Sequence, residues 1–304
     1  LEELPEAEQQ QTAILFRVWS QSVPIELRLL ARQIPYRIDA GKGALFSREV
    51  EAITSLLQVL TGQLPRMTAQ DRLDTARNLL RFPHVGLKEQ ELGHMAQMLA
   101  GFESDWGNCL LSLDESALGP MPARKLRRLG EALVSLNGFT GSVATLLGRY
   151  AEQTELYEGI RSLALTHDSA NERIDTVQGF RAYLATLDVP PADALEHLQT
   201  LRRQALQRQD NSQEGNRGVL MSTIHRTKGL EWSRVIIPGL QEKYLPYSPR
   251  QQDDLQAFME SERRLLYVAI TRTRNELHLI TRPGGPRPAV DADQAPSRFV
   301  AELC

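Results

Sequence analysis

Short apolar runs typical of β-strands occur near both ends of the chain and are absent from the long segment between Gly62 and Arg208. In the first sixty residues such runs alternate with helical patterns, which favours a parallel sheet because parallel strands need helical crossovers. The expected strands are residues 12–17, 36–40, 218–224, 233–240 and 275–281, with helices at 25–33, 47–60, 254–271 and 297–303. A sheet that starts, stops and resumes predicts one α/β domain interrupted by an inserted domain.

The middle segment has apolar residues at spacings of three and four, which is the period of amphipathic helices. A polar, Gly- and Asn-rich stretch at 207–218 has the composition of a linker, and Pro283 to Pro296 has that of an irregular segment. We therefore expect a first α/β part at 1–61, an all-α insertion at 62–213, and the rest of the α/β domain at 214–304. The expected helices of the insertion are 69–80, 88–100, 123–136, 142–150, 174–187 and 192–208.

Composition excludes several classes of protein. The net charge of -3 provides no global basic field, so any nucleic-acid contact must be a local patch. Two cysteines, Cys109 and Cys304, are too few for a disulfide framework or a zinc site, which fits a reducing cytosol. No apolar stretch is long enough to span a membrane, and the N-terminus lacks a signal-peptide pattern, so we expect a cytoplasmic protein. A start at Leu1 rather than Met suggests a segment of a longer chain.

The stretch "STIHRTKGLEW", residues 222–232, concentrates reactive side chains between two strand-like runs. It would place a hydroxyl, an imidazole, an ammonium and a flexible turn at the carboxyl end of a parallel strand, where α/β sheets bind ligands. Backbone amides around Gly229 and the charge of Lys228 suit phosphate oxygens. An ordinary solvated turn is the alternative interpretation.

Two further stretches carry arginines that could bind phosphate. In "ESERRLLYVAITRTR", residues 260–274, Arg263, Arg264, Arg272 and Arg274 flank an apolar helix. A positioned guanidinium can stabilise charge that develops during phosphoryl transfer, although a solvated helix face would look the same. In "LFRVWSQSVPIE", residues 15–26, an aromatic residue and an arginine close the first strand.

Taken in chain order, the three stretches resemble motifs IV, V and VI of the UvrD/Rep-like superfamily 1 DNA helicases. "LFRVWSQS" is similar to motif IV, "STIHRTKGLEW" to motif V, and "ERRLLYVAITRTRNELHL" to motif VI. The resemblance runs from about Thr12 to Leu303 and is weakest in the helical middle. It implies a RecA-like, P-loop NTPase-type second motor domain (2A) that carries a helical insertion (2B).

The resemblance also implies residue roles. Arg17 and Arg272 would reach the γ-phosphate of ATP, with Arg272 as the residue that stabilises the transition state. Phe16 would stack on adenine, Glu231 would contact the ribose, and Lys228 with Gly229 would border the nucleotide. Thr223 and His225 would touch the phosphate backbone of single-stranded DNA.

The implied protein is a bacterial, cytoplasmic, ATP-dependent DNA helicase, a 3'-5' translocase acting in repair, replication or recombination. Its partners would be single-stranded DNA, junctions of single- and double-stranded DNA, its own N-terminal motor domain, and repair proteins on the insertion. ATP would bind with Mg²⁺ held mainly by the N-terminal motor domain, and no metal site is expected in this chain. Two alternatives stay open: the motor of an AddA/RecB-like helicase-nuclease, and a helicase-like module that only binds DNA or a partner.

The phosphate-cradling loop of such motors has no counterpart in the chain. The segment "GKG", Gly41 to Gly43, lacks the Ser or Thr that must follow the lysine. The segment "LDES", Leu113 to Ser116, has the letters of an Asp-Glu magnesium box but no strand-like run before it.

The chain by itself is therefore expected neither to hydrolyse ATP nor to unwind DNA, because it cannot hold Mg-ATP for reaction. Phosphate release by the purified 304-residue chain, with and without single-stranded DNA, measures this. Turnover that DNA stimulates would contradict the expectation.

Overall fold

A computed structural model describes residues 1–39, 43–114, 116, 118–210, 217–247, 254–281 and 295–303. These residues form two compact units. One comprises Leu1–Gly43 with Gln204–Cys304, and the other is Ala44–Arg203. The expected linker at 207–218, the irregular segment at 283–296, and the segments "GKG" and "LDES" all fall partly outside the described residues.

The first unit contains a five-stranded parallel sheet in the order β2-β3-β1-β4-β5. Strand β1 lies at the centre, with Phe16 opposite Thr223 of β3 and Thr12 opposite Arg234 of β4. The parallel sheet predicted from the alternating pattern is confirmed. Its strands are β1 (Thr12–Phe16), β2 (Tyr36–Ile38), β3 (Val219–Thr223), β4 (Trp232–Ile237) and β5 (Thr273–Leu279).

Helices fill both units. In chain order they are α1 (Glu6–Gln10), α2 (Val23–Ala31), α3 (Arg48–Leu60), α4 (Ala69–Arg81), α5 (Glu89–Ala100), α6 (Trp106–Leu111), α7 (Pro120–Leu136), α8 (Val143–Gln153), α9 (Leu156–Leu163), α10 (His167–Ala185), α11 (Pro191–Asp210), α12 (Leu255–Ile270) and α13 (Arg298–Ala301). Helix α11 begins in the second unit and ends in the first. Within its described residues the second unit has helices and no strand.

Both faces of the sheet are covered by buried clusters. Neighbouring residues of β1 belong to different clusters because side chains of a strand alternate between faces. Ala13 and Leu15 of β1 join a cluster that includes Leu266 of α12. The intervening Ile14 and Phe16 join a second cluster on the other face. The remaining buried members of that second cluster are Leu29, Ile34, Val219 and Met221.

Helix starts follow capping side chains that the sequence pattern contains. The hydroxyl of Thr68 accepts a hydrogen bond from the backbone N–H of Asp71 (3.1 Å), and Asp71 in turn accepts from the N–H of Thr68 (3.3 Å). The hydroxyl of Thr166 accepts from the N–H of Ser169 at 3.1 Å, so α10 begins at His167, earlier than the apolar pattern predicts. The pattern also missed α6 and α9, which are too short to show a helical period.

The compact units divide at 43/44 and 203/204, whereas the sequence pattern suggested 61/62 and 213/214. The difference concerns α3, which follows the early strands in sequence. In the structure α3 packs against α4 and α10, and Arg173 of α10 donates from Nε to Glu49 at 2.6 Å. These contacts make α3 part of the helical unit.

Gly218 stands at the start of β3 with φ +83°, and Val219 beside it donates its N–H to the carbonyl of Pro35 at 2.9 Å. A Cβ at position 218 would lie 2.0 Å from that carbonyl oxygen. Only glycine leaves room for the backbones of β2 and β3 to pair here.

Gly218→Ala is therefore expected to lower the free energy of unfolding by more than the roughly 1–2 kcal/mol of a left-handed alanine alone. The matched control is Gly229→Ala in the same unit, where φ is +86° and no atom lies within 4 Å of the added Cβ. Urea unfolding followed by circular dichroism compares the two. Equal losses would contradict the steric argument.

Candidate functional site

The loop 224–231 joins β3 to β4 and carries most of the residues that the sequence singled out. Because β3 and β4 are parallel and β1 lies between them, the loop runs from the carboxyl edge of the sheet to its amino edge. It opens with a turn at Ile224–Arg226, which the fully buried Thr227 closes by donating from Oγ1 to the carbonyl of Ile224 at 2.8 Å. Residues 228–231 are exposed. One loop thus presents side chains at two edges.

Thr223 and His225, the expected DNA contacts, lie at the carboxyl edge. Thr223 ends β3 and is half-buried, whereas His225 is exposed. The surrounding protein nevertheless desolvates the imidazole enough to lower the pKa of His225, and the charge of Arg17 lowers it further. The carboxylate of Glu262 acts in the opposite direction. These effects favour a neutral ring that can donate one hydrogen bond and accept another.

Arg17, directly after β1, is paired with a buried carboxylate. Its Nε and Nη2 donate to Oε2 and Oε1 of Glu262 at 2.9 and 2.7 Å. The side chain of Glu262 is 5% exposed, and its Oε2 also accepts the N–H of Tyr247 at 3.1 Å. The ring of Tyr247 lies 5.4 Å from the guanidinium carbon of Arg17. The charge of Arg17 is therefore compensated within the protein.

Phe16 requires a correction. The resemblance gave it an adenine-stacking role, but its side chain is 0% exposed and contacts Trp19 edge to face, with ring centroids 5.9 Å apart. The side-chain alternation of β1 turns Phe16 toward the face covered by Leu29 of α2. A base cannot reach either face of this ring in this conformation.

Arg272, just beyond α12, is held by neutral oxygens. Its Nε donates to the carbonyl of Val268 (2.9 Å), its Nη1 to the carbonyl of Leu230 (3.2 Å), and its Nη2 to the hydroxyl of Thr271 (3.0 Å). Within the described part of the chain, none of its hydrogen bonds goes to a carboxylate. The guanidinium is fixed in place while its charge stays available to an anion.

Glu231 and Lys228 complete the exposed part of the loop. Glu231 accepts from Nε of Arg274 at 3.1 Å, and both side chains are about half exposed (49% and 60%). Such exposed pairs contribute about 1 kcal/mol or less, so a ligand could replace Arg274 as the partner of Glu231 at little cost. The side chain of Lys228 is exposed and positively charged.

The predicted site residues form two groups rather than one. Thr223, His225 and Arg17 lie at the carboxyl edge, at the ends of β3 and β1, and Arg17 there pairs with Glu262. Glu231 and Arg272 lie where β4 and β5 begin, since the N–H of Trp232 donates to the carbonyl of Arg272 at 2.9 Å. Along α12, Glu262 is about 12 Å from the last residue of the helix, at 1.5 Å per residue. The two arginines expected at one phosphate thus have different surroundings.

Sequence reasoning missed Glu262, the buried carboxylate that pairs with Arg17. Its signal was a carboxylate at a position of α12 that shares a face with apolar residues. Glu262, Leu266 and Ala269 are the buried residues of this helix and lie three or four positions apart. A charged residue on that face must have a partner, but the sequence does not say which one.

Across the described ranges, no three His, Cys, Asp or Glu side chains are arranged to hold a metal ion. Glu231 is paired with Arg274 and Glu262 with Arg17, so neither carboxylate fits Mg²⁺ as it stands. No helix among the described residues is both long and apolar enough to cross a membrane.

A model of the UvrD-like helicase C-terminal domain matches residues 126–283, which is just over half of the chain. The chain therefore belongs to the UvrD-like helicase C-terminal domain family, and the resemblance inferred from the motifs is confirmed.

Curated relatives are similar along nearly the whole chain. The ATP-dependent DNA helicase PcrA of Bacillus subtilis is 25% identical over 300 residues, which cover 96% of this chain and 39% of PcrA. DNA helicase II of Escherichia coli is 27% identical, with 96% and 40% covered. The ATP-dependent DNA helicase Rep of Salmonella typhimurium is 26% identical, with 96% and 43% covered. The chain spans about 40% of the length of these relatives.

Proposed function

We propose that this chain is the C-terminal motor portion of an ATP-dependent DNA helicase that moves 3' to 5' along single-stranded DNA. The observation that carries the proposal is the setting of Arg272. Its guanidinium is fixed by the end of α12 and by the carbonyl of Leu230, and no carboxylate of the described residues neutralises it. A rigid, unpaired guanidinium suits the stabilisation of charge that develops on a transferred phosphoryl group.

In this proposal the sheet-containing unit is the second RecA-like motor domain, and the helical unit is its insertion. An N-terminal motor domain of the same protein would hold Mg²⁺ and most of the ATP, and the nucleotide would be the source of the transferred phosphoryl group. From this chain, Arg272 would face the γ-phosphate, Lys228 and Gly229 would border the nucleotide, and Glu231 would accept from a ribose hydroxyl. Burial of Phe16 leaves stacking on the base to a residue elsewhere.

Thr223 and His225 would contact the phosphate backbone of the DNA. Hydroxyl groups and neutral imidazoles donate to phosphate oxygens without reading the base sequence, as a translocase requires. The loop 224–231 starts next to Thr223 and includes His225, and near its other end the carbonyl of Leu230 accepts from Arg272. A change at the nucleotide would therefore reach the DNA contacts through one short segment.

The proposed setting is a bacterial cytoplasm, where the complete protein would act at junctions of single- and double-stranded DNA. The helical unit would offer a surface for repair proteins. The AddA/RecB-like helicase-nuclease and the non-catalytic binding module remain as alternatives. DNA-stimulated ATP turnover by the complete protein distinguishes the binding module from both motors, and nuclease activity distinguishes the two motors.

Arg272→Ala in the complete protein is expected to lower DNA-stimulated ATP turnover about 1,000-fold or more, the scale on which arginines act in phosphoryl transfer. The dissociation constant for single-stranded DNA should change by no more than about twofold, because Arg272 belongs to the other edge of the sheet. Steady-state kinetics and fluorescence anisotropy measure the two quantities.

The matched control is Arg274→Ala, which removes the same charge two residues away from an exposed pair. Turnover of this variant should stay near that of the wild type. An equal fall in both variants would mean that local charge, and not the position of Arg272, is what matters.

Direction is tested with two duplexes that differ only in the polarity of a single-stranded tail. The complete protein is expected to unwind the duplex with a 3' tail and to leave the one with a 5' tail paired, as strand-displacement assays report. The reverse preference would contradict 3' to 5' movement.

A further inference from the structure

Glu262 joins three segments of the sheet-containing unit. It lies on α12, pairs with Arg17 at the end of β1, and accepts the N–H of Tyr247 from the segment that follows β4. Three hydrogen bonds thus converge on one carboxylate that is almost fully buried. Its field also reaches His225 at the start of the loop 224–231.

The same helix holds the other end of this loop. Beyond the last turn of α12, Arg272 donates to the carbonyl of Leu230 at 3.2 Å and to the carbonyl of Val268 at 2.9 Å. The start of the loop packs against α12, where Ile224 shares a buried cluster with Leu266, one turn from Glu262. The loop is therefore held by α12 at its start and, through Arg272, again near its end. Because an α-helix is rigid over this length, displacement of one attachment must displace the other or break it.

Stability alone does not account for this pair. A buried arginine–carboxylate pair loses hydration on both partners, and well-packed apolar residues in its place are often as stable or more so. An ion pair on the otherwise apolar face of α12 is thus a costly way to fill space. It does fix the orientation of Arg17 beside His225, because two parallel hydrogen bonds allow only one geometry.

We propose that Glu262 is a positioning residue that couples the DNA-facing start of the loop 224–231 to Arg272, and that DNA binding accelerates ATP turnover only while this carboxylate is in place. The inference rests on the proposed function and adds the residue that links DNA binding to faster ATP turnover. Glu262 touches neither nucleotide nor DNA in this scheme. It acts through Arg17 on one side and through α12 on the other.

The test is Glu262→Gln in the complete protein, a change that keeps the shape of the side chain and removes its charge. Basal ATP turnover and the KM for ATP should stay within about twofold of wild type, while stimulation by saturating oligothymidine falls about tenfold or more. A residue needed only for folding would lower basal and stimulated turnover together. Full stimulation in this variant, or a parallel fall in both rates, would overturn the inference.

The matched control is Glu302→Gln. Glu302 accepts from Nε and Nη2 of Arg263, next to Glu262 on the same helix, at 2.6 and 3.0 Å. This pair has the same two-bond geometry, but both of its side chains are about half exposed (49% and 43%), and it leads to the C-terminal end of α13. Stimulation should be unchanged. A loss equal to that of Glu262→Gln would show that any broken pair on α12 suffices and would overturn the inference.

If Glu262→Gln does not fold, Arg17→Lys decides. A lysine keeps a positive charge beside the buried carboxylate but cannot make the two parallel bonds. Stimulation by DNA should then fall several-fold in a folded protein. Retained stimulation would overturn the inference.

A second measurement examines the electrostatic interaction between Glu262 and His225. Because the carboxylate of Glu262 raises the pKa of His225, Glu262→Gln should lower that pKa further, whereas Glu302→Gln should not. NMR titration of the His225 ring measures this shift, and an unchanged titration in Glu262→Gln would overturn the inference. Wild-type turnover that DNA does not raise would contradict the proposed function, whereas wild-type stimulation retained by Glu262→Gln contradicts this inference alone.

Discussion

The backbone pairing of β1 between β3 and β4 is the constraint on which the site depends. Since all three strands are parallel, the chain that leaves β3 must travel the length of a strand before it can enter β4. The loop 224–231 does this with one short 3-10 turn and no α-helix, and it exposes polar residues at both edges of the sheet. If β3 and β4 were antiparallel, the same residues could lie in one turn at one edge.

Arg17 and Arg272, from two of the helicase-like motifs, have different surroundings and therefore different chemical properties. Arg17 is oriented by the buried carboxylate of Glu262, which also compensates its charge within the protein. Arg272 is oriented by carbonyl and hydroxyl oxygens, so its charge remains to act on an anion. Both guanidiniums are rigid, and the sign and burial of the partner decide what each can do.

Much of the architecture followed from pattern. Every predicted strand overlaps an observed one, most clearly β1 and β3, which are buried and follow short apolar runs. Thr68 and Ser47 cap the helices that follow them. The assignment of α3 to the helical unit did not follow from the sequence pattern, because it depends on contacts with α10, which is far away in sequence. Stacking by Phe16 did not follow either, because the resemblance compares residue types and not the side of a strand on which a ring lies.

The sequence by itself determined the family, the parallel sheet and the loop that carries Lys228, Gly229 and Glu231, since these depend on local period and on motif spacing. Only the tertiary structure decided the partner of each charged residue. Ion pairing depends on distances between segments such as β1 and α12, which have 238 residues between them in the sequence. The exposed His225, the buried Glu262 and the fixed Arg272 acquire distinct chemistry only when that packing sets their dielectric surroundings and their neighbours.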